Sequence, residues 1–297
     1  MSFSRSLLGP MRPPFLILTP ACVALGIGVA AYESGSVDPL QSLIVLVGAL
    51  AAHISVNALN EYFDFRSGLD LRTKPTPFSG GSGTLPRQPA YAGHALATGL
   101  ITLAIVAAVG LFFLYIRGWS LLPLGLVGML TIAAYTVWLT RNPLLCLVAP
   151  GLGFGTFMVM GTAFALTGHY TWGAFIASFV PFFLVSDLLL LNQFPDVEAD
   201  GSIGRRHFPI VIGRRASSWI YILFLALAYL SIVVGVALGY LAPASLLGLL
   251  TLPLAVRAGL GAYRHGEDIP ALIPSMAQNV LVNIGTPALT ALGLLIG

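Results

Sequence analysis

Apolar runs of roughly 17 to 25 residues, the length a helix needs to cross a bilayer, recur along the whole chain between polar breaks. Nine can be placed, at about 14–32, 40–61, 91–116, 119–140, 143–167, 171–192, 217–240, 243–262 and 270–296. The breaks are unequal. Two are long, about 62–90 and 193–216, whereas the connection from Glu33 to Pro39 and the one around His169 are short. The pattern predicts an all-α integral membrane protein with nine transmembrane helices in a single bundle, forming one domain over 1–297. Long polar loops confined to one face are where function collects.

Composition sharpens this picture. Only 8% of the residues are charged and 57% are hydrophobic, whereas a soluble domain carries about a quarter charged residues. The two cysteines, Cys22 and Cys146, both fall in apolar runs, so they read as buried thiols without a disulfide. The net charge of +3 is not gathered on a continuous basic face, which argues against a nucleic-acid partner.

The charge is explained by topology. With a cytoplasmic N-terminus, the inside segments hold Arg5, Arg12, Arg66, Arg72, Lys74, Arg87, Arg141, Arg205, Arg206, Arg214, Arg215, Arg257 and Arg264, and the outside segments hold Arg117 alone. This follows the positive-inside rule. The stretch from Met1 to Pro14 reads as an uncleaved signal anchor, and Arg117, being alone outside, is expected to matter little.

Carboxylates cluster at two places on the predicted inner face. One is Asn60-Glu61-Tyr62-Phe63-Asp64 running on to Asp70; the other is Asn192-Gln193-Phe194-Pro195-Asp196 running on to Asp200. Asn192, Asp196 and Asp200 are spaced four apart, which puts them on one face of a helix that kinks or restarts at Pro195. Asn60 and Asp64 repeat that spacing, and His53 and Asn57 extend the polar stripe back along the helix. Asp70 follows Gly68 and must reach back from a loop. Acids and amides at a membrane boundary are costly unless paired or metal-bound. Oxygen donors of this kind suit Mg2+, which takes one or two carboxylates and completes its shell with water and substrate phosphates. Asn60, Asp64, Asp70, Asn192, Asp196 and Asp200 are therefore the predicted metal ligands. Arg66, Arg72, Lys74, Arg141, Arg205 and Arg206 stand ready to neutralise a diphosphate.

These paired motifs, with their nine spans, resemble the UbiA superfamily of intramembrane prenyltransferases. The stretch from Asn60 to Asp70, and the second motif with Gly204-Arg205-Arg206 and Ile212-Gly213 after it, is similar to the branch acting on 1,4-dihydroxy-2-naphthoate, as is the region from Tyr135 to Gly161. Glu61 stands where that family usually has Asp, Phe194-Pro195 where the branch has a polar residue and Arg, and Phe154 where it has Glu. The resemblance implies Mg2+-dependent transfer of a prenyl group from a polyprenyl diphosphate to an aromatic acceptor. It also implies an active site at the cytoplasmic face, a central cavity open to lipid, and residence in a bacterial or archaeal cell membrane. Asp64, Asp196, Asn60 and Glu61 are the expected catalytic residues; Asn57 and Tyr135 join the basic residues in binding substrate.

An allylic cation would find aromatic faces among Tyr62, Phe63, Phe65, Phe78, Tyr135 and Phe194. Glu61, Asp64 or Asp187 is placed to act as base, and His53 is read as a hydrogen-bonding residue. The loop from Thr76 to Thr84 lacks the Gly-Lys-Ser/Thr ending of a nucleotide loop and is read as a cap. Gln278, Asn279 and Asn283 line a pocket or bond neighbouring helices. A cyclase acting on the same diphosphate without an acceptor is the near alternative. A transporter would place its ionisable groups near the midplane rather than at one end.

Overall fold

A computed structural model describes residues 8–297; Arg5 lies outside the described residues. Among the described residues there is no strand. The long helices are α1 (Leu18–Ser34), α2 (Pro39–Arg66), α3 (Pro89–Arg117), α4 (Trp119–Ala134), α5 (Pro143–Thr167), α6 (Trp172–Asn192), α7 (Arg214–Ala237), α8 (Pro243–His265) and α9 (Ile269–Ile296). Seven of them are long and apolar enough to cross a membrane, eight if α1 is joined to the bent turn Gly9–Phe15 before it; α4 is a shorter apolar helix. With these helices, the chain is a multi-pass membrane protein.

Boundaries follow local chemistry. Asp38 caps α2 by accepting from the Gln41 amide, Thr171 caps α6 through the Ala174 amide, and Asp268 caps α9 through the Ala271 amide, each just ahead of the apolar run. Gly35 and Gly168 end α1 and α5 in the left-handed region. Helix α5 is not regular: its middle, Leu152–Met160, is a π-helical stretch. Such stretches displace a wall of side chains and mark functional sites.

Lipid offers no hydrophobic reward for helix contact, so association rests on close packing. At the α5–α6 contact a Cβ on Gly155 would lie 2.6 Å from the Phe182 backbone nitrogen. The central helix is α6, whose Ala177, Val180, Leu184 and Leu191 are fully buried, and α1, α5, α7 and α9 surround it. Cys22 and Cys146 are both buried and free, as expected.

Arg117 departs from its expected idleness. Its Nε donates to the Ala165 carbonyl at 2.8 Å, and its Nη2 donates to the Leu166 carbonyl at 2.7 Å and to Gln41 Oε1 at 2.6 Å. One side chain satisfies two orphan carbonyls at the end of α5 while tying α3 to α2, a role its isolation in sequence concealed. Arg117→Ala should therefore destabilise the bundle by about 1–3 kcal/mol, seen as a lower melting temperature in detergent with turnover of the surviving fold unchanged.

Candidate active site

The first motif occupies the last turns of α2. Helix α2 runs to Arg66, Gly68 turns the chain in the left-handed region (φ 77), and Asp70 lies in a 3-10 turn, Leu69–Leu71. The second motif is split. Helix α6 ends at Asn192, the chain turns through Pro195, and a short helix restarts over Val197–Ser202. Of the two geometries that Pro195 permitted, the restart is the one adopted.

The two ends meet. Arg205 bonds Asp64 of the first motif through Nη2 and Asp200 of the second through Nη1, the latter at 2.9 Å. His207 Nε2 lies 3.0 Å from the other Asp200 oxygen. Ser79 of the loop between α2 and α3 donates to Asp196 at 3.4 Å. Asn60, Asp64, Asp70, Asn192, Asp196 and Asp200 all line one polar cavity of about 120 Å³.

The environment strains these acids unequally. Burial pushes the Asp70 carboxyl up to about 7, with the negative charges of Glu61 and Asp64 adding to it. Burial raises Asp196 to about 7 as well, together with the charge of Asp200. For Asp200 burial acts in the same direction, but the His207 hydrogen bond and the Arg205 charge outweigh it and hold its carboxyl below the usual range. Asp70 Oδ2 and Asn192 Oδ1 are buried oxygens without a hydrogen-bond partner. Unpaired oxygens at a buried polar cavity suit a hard cation.

Among the described residues no three His, Cys, Asp or Glu side chains converge as a ready-made metal shell. Mg2+ does not require one, since water and phosphate supply most of its ligands, and the all-oxygen donor set fits it.

Glu61 is differently employed. It is fully buried, and its Oε1 accepts from Arg12 Nε at 2.8 Å and from the Ser82 amide at 2.6 Å, while Oε2 accepts from the Ser82 hydroxyl at 2.9 Å. Arg12 also donates to Asn60 Oδ1 at 3.2 Å. Arg12 is the one described non-glycine residue at positive φ (52°), and it sits between two 3-10 turns rich in proline that aim its guanidinium at α2. Gly81 belongs to the same knot: a Cβ there would come within 3.2 Å of Glu61 Oε1 and 3.3 Å of Asp70 Oδ1, at a φ of 73°. The loop is thus fastened to both motifs.

Other expected residues are sorted by the fold. Asn57 donates to the Met11 carbonyl at 3.1 Å, and Tyr135 lines the polar cavity. Arg66, Lys74, Arg141 and Arg206 are exposed and make no side-chain bond to either motif, and Arg72 turns to Ser202. Of the aromatic candidates, Phe78 and Tyr135 line the cavity; Phe194 is buried in the core, and Tyr62 and Phe63 pair with each other. Asp187 is buried among the core helices and lines neither cavity. Asn283 donates to Asn279 one turn earlier on α9 and lines the apolar cavity beside the polar one. Sequence reasoning missed Arg12, Ser79, Ser82 and His207. Their signal was faint: Arg12 is framed by prolines at positions 10, 13 and 14, and His207 follows the two arginines after the second motif.

Beyond the polar cavity lies a larger apolar one of about 530 Å³, whose walls include Val45, Phe113, Phe154, Phe157 and Met158. Arg12, Asn60, Phe78, Tyr135, Leu189 and Asn192 line both, so the cavities adjoin. His53 is a polar exception on the apolar wall, held by Thr19 Oγ1 at 2.8 Å and set edge-on to Phe154.

A model of the UbiA prenyltransferase family matches residues 18–279. The chain belongs to the UbiA prenyltransferase family. It is a prenyltransferase. It is 28% identical over 291 residues to the 1,4-dihydroxy-2-naphthoate octaprenyltransferase of Bacillus subtilis, covering 96% of this chain and 90% of that protein. It is 28% identical over 245 residues to the digeranylgeranylglyceryl phosphate synthase of Pyrococcus furiosus, covering 77% and 78%. Its fold is that of a UbiA homologue from Aeropyrum pernix K1, with a TM-score of 0.69 at 16% identity over 95% of this chain and 97% of that one. A UbiA homologue from Archaeoglobus fulgidus, solved bound to GPP and Mg2+, aligns with a TM-score of 0.63 at 13% identity over 98% and 100%.

Removing the Glu61 carboxylate leaves Arg12 without its ion pair and the Ser82 amide without its acceptor. Glu61→Ala should raise hydrogen exchange at Gly80–Thr84 roughly tenfold or more, measured by mass spectrometry, with the amides of α6 unaffected.

Proposed function

We propose that the chain transfers a prenyl group from a polyprenyl diphosphate to an aromatic acceptor and releases pyrophosphate. The observation that carries this reading is the junction of the two cavities, where a small oxygen-lined pocket opens onto a large apolar one across Phe78 and Tyr135. A prenyl diphosphate has that same division, a charged head and a long apolar tail. Asn60, Asp64, Asp70, Asn192, Asp196 and Asp200 hold Mg2+, which when bound offsets phosphate charge and favours loss of pyrophosphate.

The protein's own groups do the rest. Arg205, bonded to Asp64 and Asp200 without substrate, and Arg12, on the rim of both cavities, offer guanidinium donors to the diphosphate oxygens. The bond from the allylic carbon to the bridging oxygen breaks and its electron pair leaves with the diphosphate. Phe78 and Tyr135 flank the place where the positive charge develops, and aromatic faces stabilise such charge. A carbon of the acceptor ring then supplies the electron pair for the new bond, and the proton that this carbon loses passes to an oxygen of the released pyrophosphate. Glu61, saturated by Arg12 and Ser82, acts as the strut that holds the loop over the site. Asn57 braces the N-terminal turn.

The chain acts as a single domain with nine spans, α4 being the short one, and an apolar chamber open to lipid so that a long tail arrives sideways. Its N-terminus and its site face the cytoplasm of a bacterial or archaeal cell, a placement supported by the arginines at that end of the bundle. A hydroxynaphthoate-type acceptor is favoured by the near full-length likeness to the B. subtilis enzyme.

Asp64→Ala and Asp196→Ala should each lower turnover by several orders of magnitude while the protein still folds. The assay is Mg2+-dependent pyrophosphate release from labelled prenyl diphosphates with naphthoate, benzoate, homogentisate and glyceryl phosphate acceptors. Product mass identifies the acceptor, and release of pyrophosphate with no adduct to any of them would favour cyclisation.

A further inference from the structure

The corner where α7 and α8 cross, away from the polar cavity, carries positive charge that no carboxylate among the described residues answers. Arg257 and Arg264 are exposed on α8 and lie seven residues apart, so they share one face of the helix. Neither has an ion pair or hydrogen-bond partner among the described residues. Beside them Arg215 of α7 lies over the Tyr263 ring, 5.2 Å from its centre, and donates to the Tyr263 hydroxyl at 3.2 Å. Trp219, 60% exposed, also packs on Tyr263, with ring centres 5.1 Å apart.

The acids nearby are already engaged. Glu198 and Glu267 both accept from Arg214, and Asp268 caps α9. Arg214 is itself committed, since its Nε also donates to the Phe194 carbonyl. Three guanidinium groups, Arg215, Arg257 and Arg264, therefore face outward without a carboxylate.

Depth makes this more than a solvated charge. Arg257 stands about 10 Å further into the membrane than Arg264, at 1.5 Å of rise per residue. It emerges among Leu252, Val256 and Leu260, all more than 40% exposed and thus lipid-facing. A guanidinium on an apolar, lipid-facing surface is costly unless it snorkels to an anion. Trp219 and Tyr263 mark the level of the headgroups, where such rings settle. A phosphate at that level would meet Arg264 directly and Arg257 from below, and guanidinium forks bind phosphate oxygens in pairs.

We propose that this corner is a binding site for the headgroup of an anionic phospholipid, with Arg257 and Arg264 clasping the phosphate, Arg215 adding charge, and Trp219 and Tyr263 packing against the glycerol and upper acyl chain. The inference is independent of the prenyl-transfer reading, because none of these residues lines either cavity.

The test is native mass spectrometry and thermal melting of the full chain in micelles doped with phosphatidylglycerol or with phosphatidylcholine. Phosphatidylglycerol should stay bound after activation and raise the melting temperature, and phosphatidylcholine should do neither. Arg257→Gln with Arg264→Gln should weaken retention roughly 25-fold, at about fivefold for each charge near an anionic surface, while its melting temperature in phosphatidylcholine stays that of the parent. Arg87→Gln, an exposed arginine outside the patch, should retain the lipid. Equal retention by parent and double variant, or equal effects of the two lipids, would each overturn the assignment. If the double variant melts lower without lipid, Arg257→Lys with Arg264→Lys decides: retained charge should keep phosphatidylglycerol bound.

Discussion

Everything at the site depends on one guanidinium bridging two acid-bearing helix ends in a place largely shut off from water. Asp64 belongs to a helix near the start of the chain and Asp200 to a short one much later, and Arg205 joins them. Neither carboxylate would be tolerated so deeply without a partner, because an isolated charge in low dielectric is expensive. The bridge joins the two motifs, and beside it Asp70 and Asn192 each keep a buried oxygen without a hydrogen-bond partner. Stability and the proposed function share this interaction: a diphosphate that drew Arg205 away would leave both aspartates without their counter-charge, which a divalent cation would supply.

Around this bridge the chain builds a second knot. Arg12, Glu61, Ser82 and Gly81 tie the N-terminal turn and the glycine-containing loop to the end of α2. Both knots use charge-assisted bonds in a protected setting, where they are shorter and stronger than neutral ones. The loop is fastened beside the polar pocket, and the apolar chamber adjoins it. The π-helical middle of α5 shapes that chamber by carrying Phe154, Phe157 and Met158 into its wall. A regular helix would have presented a different set of side chains there.

The outer surface follows another logic. Most lipid-facing positions are Leu, Val, Ile or Phe, and the exceptions are informative. Arg117 turns inward to cap the end of α5; Arg257 turns outward where only lipid can meet it. Arg117 has its counterpart in two carbonyls, and the headgroup proposed above would serve Arg257 in the same way, since either charge is costly without one.

Length and hydropathy alone were enough to locate the helices, since a membrane span needs a long unbroken apolar run and polar breaks are conspicuous. The paired motifs were equally legible, because carboxylates are so scarce in this chain that their clustering cannot be missed, and the residues from Asn60 to Asp200 that were expected to gather do line one cavity. Sequence spacing could not tell which arginines reach inward: Arg205 and Arg206 are neighbours in the chain, yet one bridges the motifs and the other is exposed. Nor could it reveal that Arg12, forty-eight positions from Asn60, bonds to it, or that Glu61 serves as a strut. Apolar runs and scarce charges are local properties that each stretch of chain declares by itself. Which side chain answers which buried charge depends on contacts between distant segments, and only the packed bundle decides those.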